Sequence, residues 1–145
     1  MKTKSWLAYL VAVCVVLSGG MVARSQTAAK EHKVLFAVTS ADPADWGMTM
    51  GNIRNLREGL KPDTVQVEVV AYGPGIAMLK KDSTVAADIK ELEAAGVVFL
   101  ACANAMRHHQ LTLADMLEGV ASTPAGIVEV VRKQEQGWVY IKAGK

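Results

Sequence analysis

Three apolar runs constrain this chain most: Lys33 to Thr39, Val65 to Tyr72, and Gly96 to Cys102. Each is short, rich in valine, leucine and alanine, and bounded by turn-forming residues, the pattern of strands buried in a sheet. Between the first two, Trp46, Met50, Ile53, Leu56 and Leu60 recur at helical spacing, with Arg54, Arg57 and Glu58 on another face. Before the third, Asp82 or Ser83 is placed to cap a helix that runs to about Ala95 and stops at Gly96. Strands that alternate with helices are joined by crossovers. The expected class is therefore α/β, a mainly parallel sheet of about five strands with helices on both faces.

The remaining segments fit that plan. Ser40-Ala41-Asp42-Pro43 reads as a turn before a helix from about Asp45 to Leu60, which Lys61-Pro62-Asp63 stops. In the second run Gln66 and Glu68 oppose Val65, Val67 and Val69, so one face looks solvated and the strand is expected near the sheet edge. Gly73-Pro74-Gly75 turns into a short helical piece, Ile76 to Leu79. Asn104 to His109 reads as a short helix, and Thr112 caps another. Val120-Ala121-Ser122 forms a short strand. Thr123-Pro124 then reads as the N-cap and first residue of a helix. That helix is expected to turn Ile127, Val128 and Val131 inward and Arg132, Lys133 and Glu135 outward. Gly137 ends it before a closing strand, Trp138 to Ile141.

The chain begins with the pattern of a secretory signal. Lys2 and Lys4 precede an apolar run from Trp6 to Leu17, too short for an ordinary membrane span, and Ser18-Gly19-Gly20 breaks it. Ala23-Arg24-Ser25 offers small residues for cleavage before Gln26, and no lipid-bearing cysteine follows. The expected division is a signal peptide over 1–25, a flexible lead-in over 26–32 and an α/β domain over 33–145. The expected location is periplasmic or secreted, with no stable membrane anchor after cleavage near Ser25. The full chain has 16 basic and 14 acidic residues; without Lys2, Lys4 and Arg24 it has 13 basic against 14 acidic. A near-neutral domain lacks the basic footprint of a nucleic-acid binder. About 120 residues remain, enough for one core.

Loss of the signal would remove Cys14 and leave Cys102 as the only thiol, so no internal disulfide is expected. Cys102 ends the third apolar run and precedes a short helix, where unpaired N–H groups favour a thiolate. In parallel sheets, ligands gather beyond the carboxyl ends of the strands. That rule selects the loop after Thr39, the turn Tyr72 to Gly75, and Cys102 with the turn after it. Asn52 and Asn55, poor helix formers inside a helix, are either hydrogen-bonded near those ends or exposed. Trp46, Met48 and Met50 line a pocket, an interface or the core. His108-His109 invites a metal reading with Cys102 and His32. Adjacent histidines diverge on a helix and no ligand spacing is present, so no metal is expected. Gly73-Pro74-Gly75 lacks the fingerprint of a nucleotide loop, and no cofactor is expected. Nothing identifies a catalytic base, and the residues alone leave Cys102 either a small core residue or a reactive thiol.

Four segments carry a family resemblance. They are Asn52-Ile53-Arg54-Asn55-Leu56, Val67 through Gly75, Gly96 through Arg107, and Pro124 through Lys142. With them the chain resembles the DsrE/DsrF-like family, of YchN-like fold, and its exported single-domain branch in particular. The resemblance implies sulfur relay through a cysteine after the third strand, which maps onto Cys102. It also implies a homo-oligomer and a protein sulfur donor or acceptor. Members with known relay roles are cytoplasmic, whereas this chain carries an export signal. The expected site is Cys102 with Asn104, Arg107, Tyr72, Gly73 and Asn52 as substrate-binding residues. The expected function is a periplasmic persulfide carrier or sulfurtransferase-like protein. A non-enzymatic oligomeric binding module and a redox-sensing subunit are the alternatives, and whether the chain is an enzyme stays open.

Overall fold

The apolar runs become neighbouring strands of one sheet in the computed structural model, which describes residues 29–144. Its strands are β1 (Glu31–Val38), β2 (Thr64–Ala71), β3 (Val98–Cys102), β4 (Ala121–Thr123) and β5 (Val139–Ala143). All pair in parallel, in the order β4-β3-β2-β1-β5. The helices are α1 (Pro43–Gly59), α2 (Ala86–Ala94), α3 (Ala103–His108) and α4 (Gly126–Glu135), with 3-10 turns at Gly73–Leu79 and Leu113–Asp115. Among the described residues, no helix is long and apolar enough to cross a membrane. The expected signal peptide, residues 26–28 of the lead-in and Lys145 lie outside the described residues. β1 begins at Glu31, inside the stretch read as lead-in.

The strand order dictates where the helices go. From β1 to β4 the chain steps in one direction along the sheet, and right-handed crossovers put the intervening helices on one face. The step from β4 to β5 runs back across the whole sheet, so its helix must use the other face. The packing agrees. Phe36, Val69 and Phe99 lie in the large core with Trp46, Met50 and Ile53 of α1, Ile89 and Leu92 of α2, and Met106 of α3. Leu35, Ala37 and Val70 point to the opposite face, where they meet Val130 of α4.

Several expectations are corrected here. β2 is the central strand, not near an edge. Its polar start extends below β3, which pairs only with Glu68 through Ala71, and Glu68 itself is buried against Lys133 of α4. α1 begins earlier than expected, with Asp42 as N-cap accepting from the Ala44 N–H and Pro43 opening the helix. Neither Asp82 nor Ser83 caps α2, which starts at Ala86. Ser83 accepts from the Val85 N–H in the turn before it, and Asp82 pairs with Lys80. Thr123 completes β4, and α4 starts only at Gly126 with Ala125 as N-cap. Ile127, Val128 and Val131 face solvent, while Gly126 and Val130 are buried and Glu129 and Lys133 partly so. The sheet-facing side of α4 is thus the i, i+3, i+4, i+7 row starting at Gly126, half of it polar because Glu68 lies beneath.

At the opposite end of the sheet, Asp63 ties the start of β1 to the α1–β2 turn. It accepts from the Lys30 N–H at 2.9 Å and pairs with His32 Nε2 at 3.1 Å. The Lys30 N–H, and then His32, hold its carboxyl below the ordinary carboxylate value of 3.8. A depressed carboxyl contributes stability that is present above its unfolded pKa and lost as pH falls through the folded one. Asp63→Asn should therefore flatten the loss of stability as pH falls below the ordinary carboxylate range, read from denaturant midpoints; an unaltered slope would remove the clasp from the account.

Candidate functional site

Cys102 is the last residue of β3 and the N-cap of α3. In the sheet it lies opposite Thr123, the last residue of β4. The chain leaving β4 therefore passes the sulfur before turning into α4. Cys102 Sγ accepts two backbone N–H groups, from Gly126 at 3.2 Å and Ala105 at 3.5 Å. One donor opens α4 and the other lies in the first turn of α3. Both come from helix starts, where N–H groups lack helical partners and carry positive potential. Donors aimed at one sulfur stabilise negative charge on it, whether it attacks or leaves.

Gly126 can deliver its N–H because it has no side chain. A Cβ there would lie 2.7 Å from Tyr72 Cβ, closer than real contacts allow. Tyr72 follows β2, and its N–H is held by the Val38 carbonyl at 3.1 Å. The turn after it packs as tightly on β1: a Cβ at Gly75 would meet the Val38 carbonyl oxygen at 2.3 Å. These close approaches fix the exit of β2 against β1 on one side and the start of α4 against Tyr72 on the other.

An open cleft of about 290 Å³ lies over Cys102, lined by Tyr72, Gly73, Asn104, His108, Gly126 and Ile127 among others. Cys102 itself is 4% exposed and forms part of the cleft's floor. Burial, then Tyr140 and Cys102, push the Tyr72 phenol up from its ordinary value of 10.0. His108 and His109 meet edge to face on the rim, ring centres 5.1 Å apart. Among the described residues, no three His, Cys, Asp or Glu side chains are grouped to hold a metal ion. His32, considered with Cys102 as a ligand, sits at the far end of the sheet on Asp63.

Of the residues expected around Cys102, the fold brings Tyr72, Gly73 and Asn104 into the cleft. Arg107 does not line it. Arg107 is exposed and donates to the carboxamide oxygen of Asn104, which does line the cleft. The cleft-facing side of α3 carries Ala105, with His108 and His109 three and four residues on, and Arg107 falls between them. Asn52 is exposed midway along α1 and does not line the cleft. Gly126, Ala125 and Ile127 went unrecognised because the segment after Thr123 read as a helix cap. The rule of strand carboxyl ends applies equally to β4 and would have found them.

The sulfur's acceptor role gives a measurable consequence. Cys102→Ala leaves two buried N–H groups without an acceptor and should cost about 1–3 kcal/mol in chemical denaturation. Cys102→Ser, which keeps an acceptor, should cost less. Equal stability of Cys102→Ala and wild type would contradict the geometry.

Comparison with known proteins agrees with this architecture. The protein of unknown function MTH1491 from Methanobacterium thermoautotrophicum is 37% identical, with 77% of this chain and 98% of that chain covered and a TM-score of 0.73. Two solved structures share the fold at lower identity. BT1422 of Bacteroides thetaiotaomicron, a conserved protein of unknown function, is 14% identical with a TM-score of 0.62, over 76% of this chain and 93% of that one. The ychN protein of E. coli is 13% identical with a TM-score of 0.59, over 77% of this chain and 98% of that one. No curated protein matches the sequence significantly. The family model for the DsrE/DsrF-like family matches residues 32–143, and the chain belongs to that family.

Proposed function

We propose that this protein handles sulfur through Cys102, as a persulfide carrier or sulfurtransferase-like protein acting outside the cytoplasm. The observation that carries the reading is the convergence of the Gly126 and Ala105 N–H groups on one sulfur at the floor of an open cleft. Family membership supports the sulfur chemistry, and the signal-like pattern over 1–25 supports export. In the proposed step, the Cys102 thiolate attacks the outer sulfur of a donor persulfide. The new S–S bond forms as the donor's own S–S bond breaks, and the donor leaves as a thiolate that takes up a proton. Onward transfer reverses the roles: an acceptor thiolate takes the outer sulfur and Cys102 leaves. The same two N–H groups serve both steps, because each puts negative charge on Cys102 Sγ.

Incubation with a low-molecular-weight persulfide should add one sulfur atom, found by intact mass and assigned to the Cys102 peptide, and Cys102→Ala should gain none there. No gain on wild type, under conditions where an alkylating agent does modify Cys102, would sink the reading.

The protein acts in this proposal as a homo-oligomer. Among the described residues α4 is the helix on the second face of the sheet, and Val98 and Tyr140 are left partly bare there. Ile127, Val128 and Val131 on α4 are exposed as well. Soluble monomers seldom keep so many large aliphatic side chains together in water, and a second copy packed over α4 would bury them. Val131→Glu should lower the mass found by analytical ultracentrifugation; a wild type that sediments as a monomer would reject the assembly.

A further inference from the structure

The hold of α4 on the sheet is unusual in its chemistry. Val130 is its only buried aliphatic side chain, whereas Ile127, Val128 and Val131 face outward. What meets the sheet instead is charged. Lys133 Nζ lies 2.5 Å from Glu68 Oε2, 3.8 Å from Glu129 Oε1 and 4.3 Å from the centre of the Trp138 ring. Glu68 is 5% exposed in the central strand, and its other carboxylate oxygen, buried, has no hydrogen-bond partner. Lys133 is therefore the only cation paired with that carboxylate among the described residues. Glu129 in turn is within 3.5 Å of the Thr123 hydroxyl, on the residue opposite Cys102 in the sheet.

An apolar pattern alone would rotate α4 to bury Ile127, Val128 and Val131. That rotation would carry the Gly126 N–H off the sulfur, since Gly126 shares a helix face with Val130 and Lys133. We propose that Glu68 and Lys133 are positioning residues for the sulfur site: their buried pair selects the face of α4 that packs down and so keeps the Gly126 N–H on Cys102. The inference rests on Cys102 being the working group of the protein, as proposed above. Neither Glu68 nor Lys133 lines the cleft, so they act only through α4.

Amide hydrogen exchange of the full chain, followed residue by residue, tests this without reading sulfur chemistry. Lys133→Met should raise exchange at Gly126 roughly tenfold, while Phe36 and Val69 in the central strands stay within about twofold of wild type. Lys133→Arg, which keeps the cation, should return Gly126 to near the wild-type rate. Glu68→Gln keeps the shape without the charge and carries the same comparison if Lys133→Met does not fold. Unchanged exchange at Gly126, or an equal rise at Val69, would overturn the proposal and make the pair a general prop of the core. If wild type takes up sulfur, Lys133→Met should do so about threefold more slowly, and an unchanged rate alongside a loosened Gly126 would also overturn it. A wild type that takes up none sinks sulfur transfer and leaves the exchange result to decide the positioning role.

Discussion

Right-handed crossover in a wholly parallel sheet is the constraint on which the rest of this structure depends. With strands in the order β4-β3-β2-β1-β5, the first connections all stay on one face. The last has to travel from one edge to the other, and it must do so on the face left empty. That leaves α4 by itself over Leu35, Ala37 and Val70. It also brings the start of α4 past the end of β3, because β4 and β3 are neighbours and Cys102 lies opposite Thr123. The sulfur thus receives one N–H from the helix that follows it and another from a helix distant in sequence. The second donor is a product of topology.

A helix working alone on a sheet has little apolar area with which to fix its rotation. Burying one valine is worth about 1.5–3 kcal/mol, and the outward stripe of Ile127, Val128 and Val131 offers several such side chains. The buried pair of Glu68 and Lys133 contributes little net stability as a pair, because desolvation offsets most of its attraction. Its force lies in asymmetry: separating the partners strands a buried charge, at a cost of about 3–5 kcal/mol. The pair therefore acts less as glue than as a discriminator between two ways of seating the same helix.

The three inner strands and their alternation with helices were legible in the sequence because β1 and β3 carry continuous apolar runs and β2 ends in one, Val69-Val70-Ala71. The position of Cys102 followed from the rule that parallel sheets present their carboxyl ends to ligands. What misled was polar burial. Glu68 looked like a solvated face and moved β2 toward the edge, whereas it is covered by α4 in the middle of the sheet. The same hidden carboxylate inverted the reading of α4, since an apolar stripe points inward only when the surface below is apolar. Arg107 and Asn52 lie away from the cleft lining for a simpler reason. Nearness along the chain, or an unusual residue in a helix, does not fix the angle at which a side chain leaves its helix. Gly126 was invisible to any local pattern, as its partner Cys102 lies 24 residues away in sequence, at the end of the neighbouring strand.

The clasp of Asp63 on Lys30 and His32 also sets the polarity of the molecule. It pins the start of β1 at the amino ends of the strands, whereas Cys102 and its cleft lie at the carboxyl ends. A strand of this length spans roughly 25 Å. Whatever precedes residue 29 joins the domain at the pole opposite the cleft. β5 runs parallel to β1, so the chain leaves β5 on the cleft's own side. A tether joined directly at the start of β1 would turn the thiol outward to the surrounding solution, and one joined directly at the end of β5 would turn it toward the support.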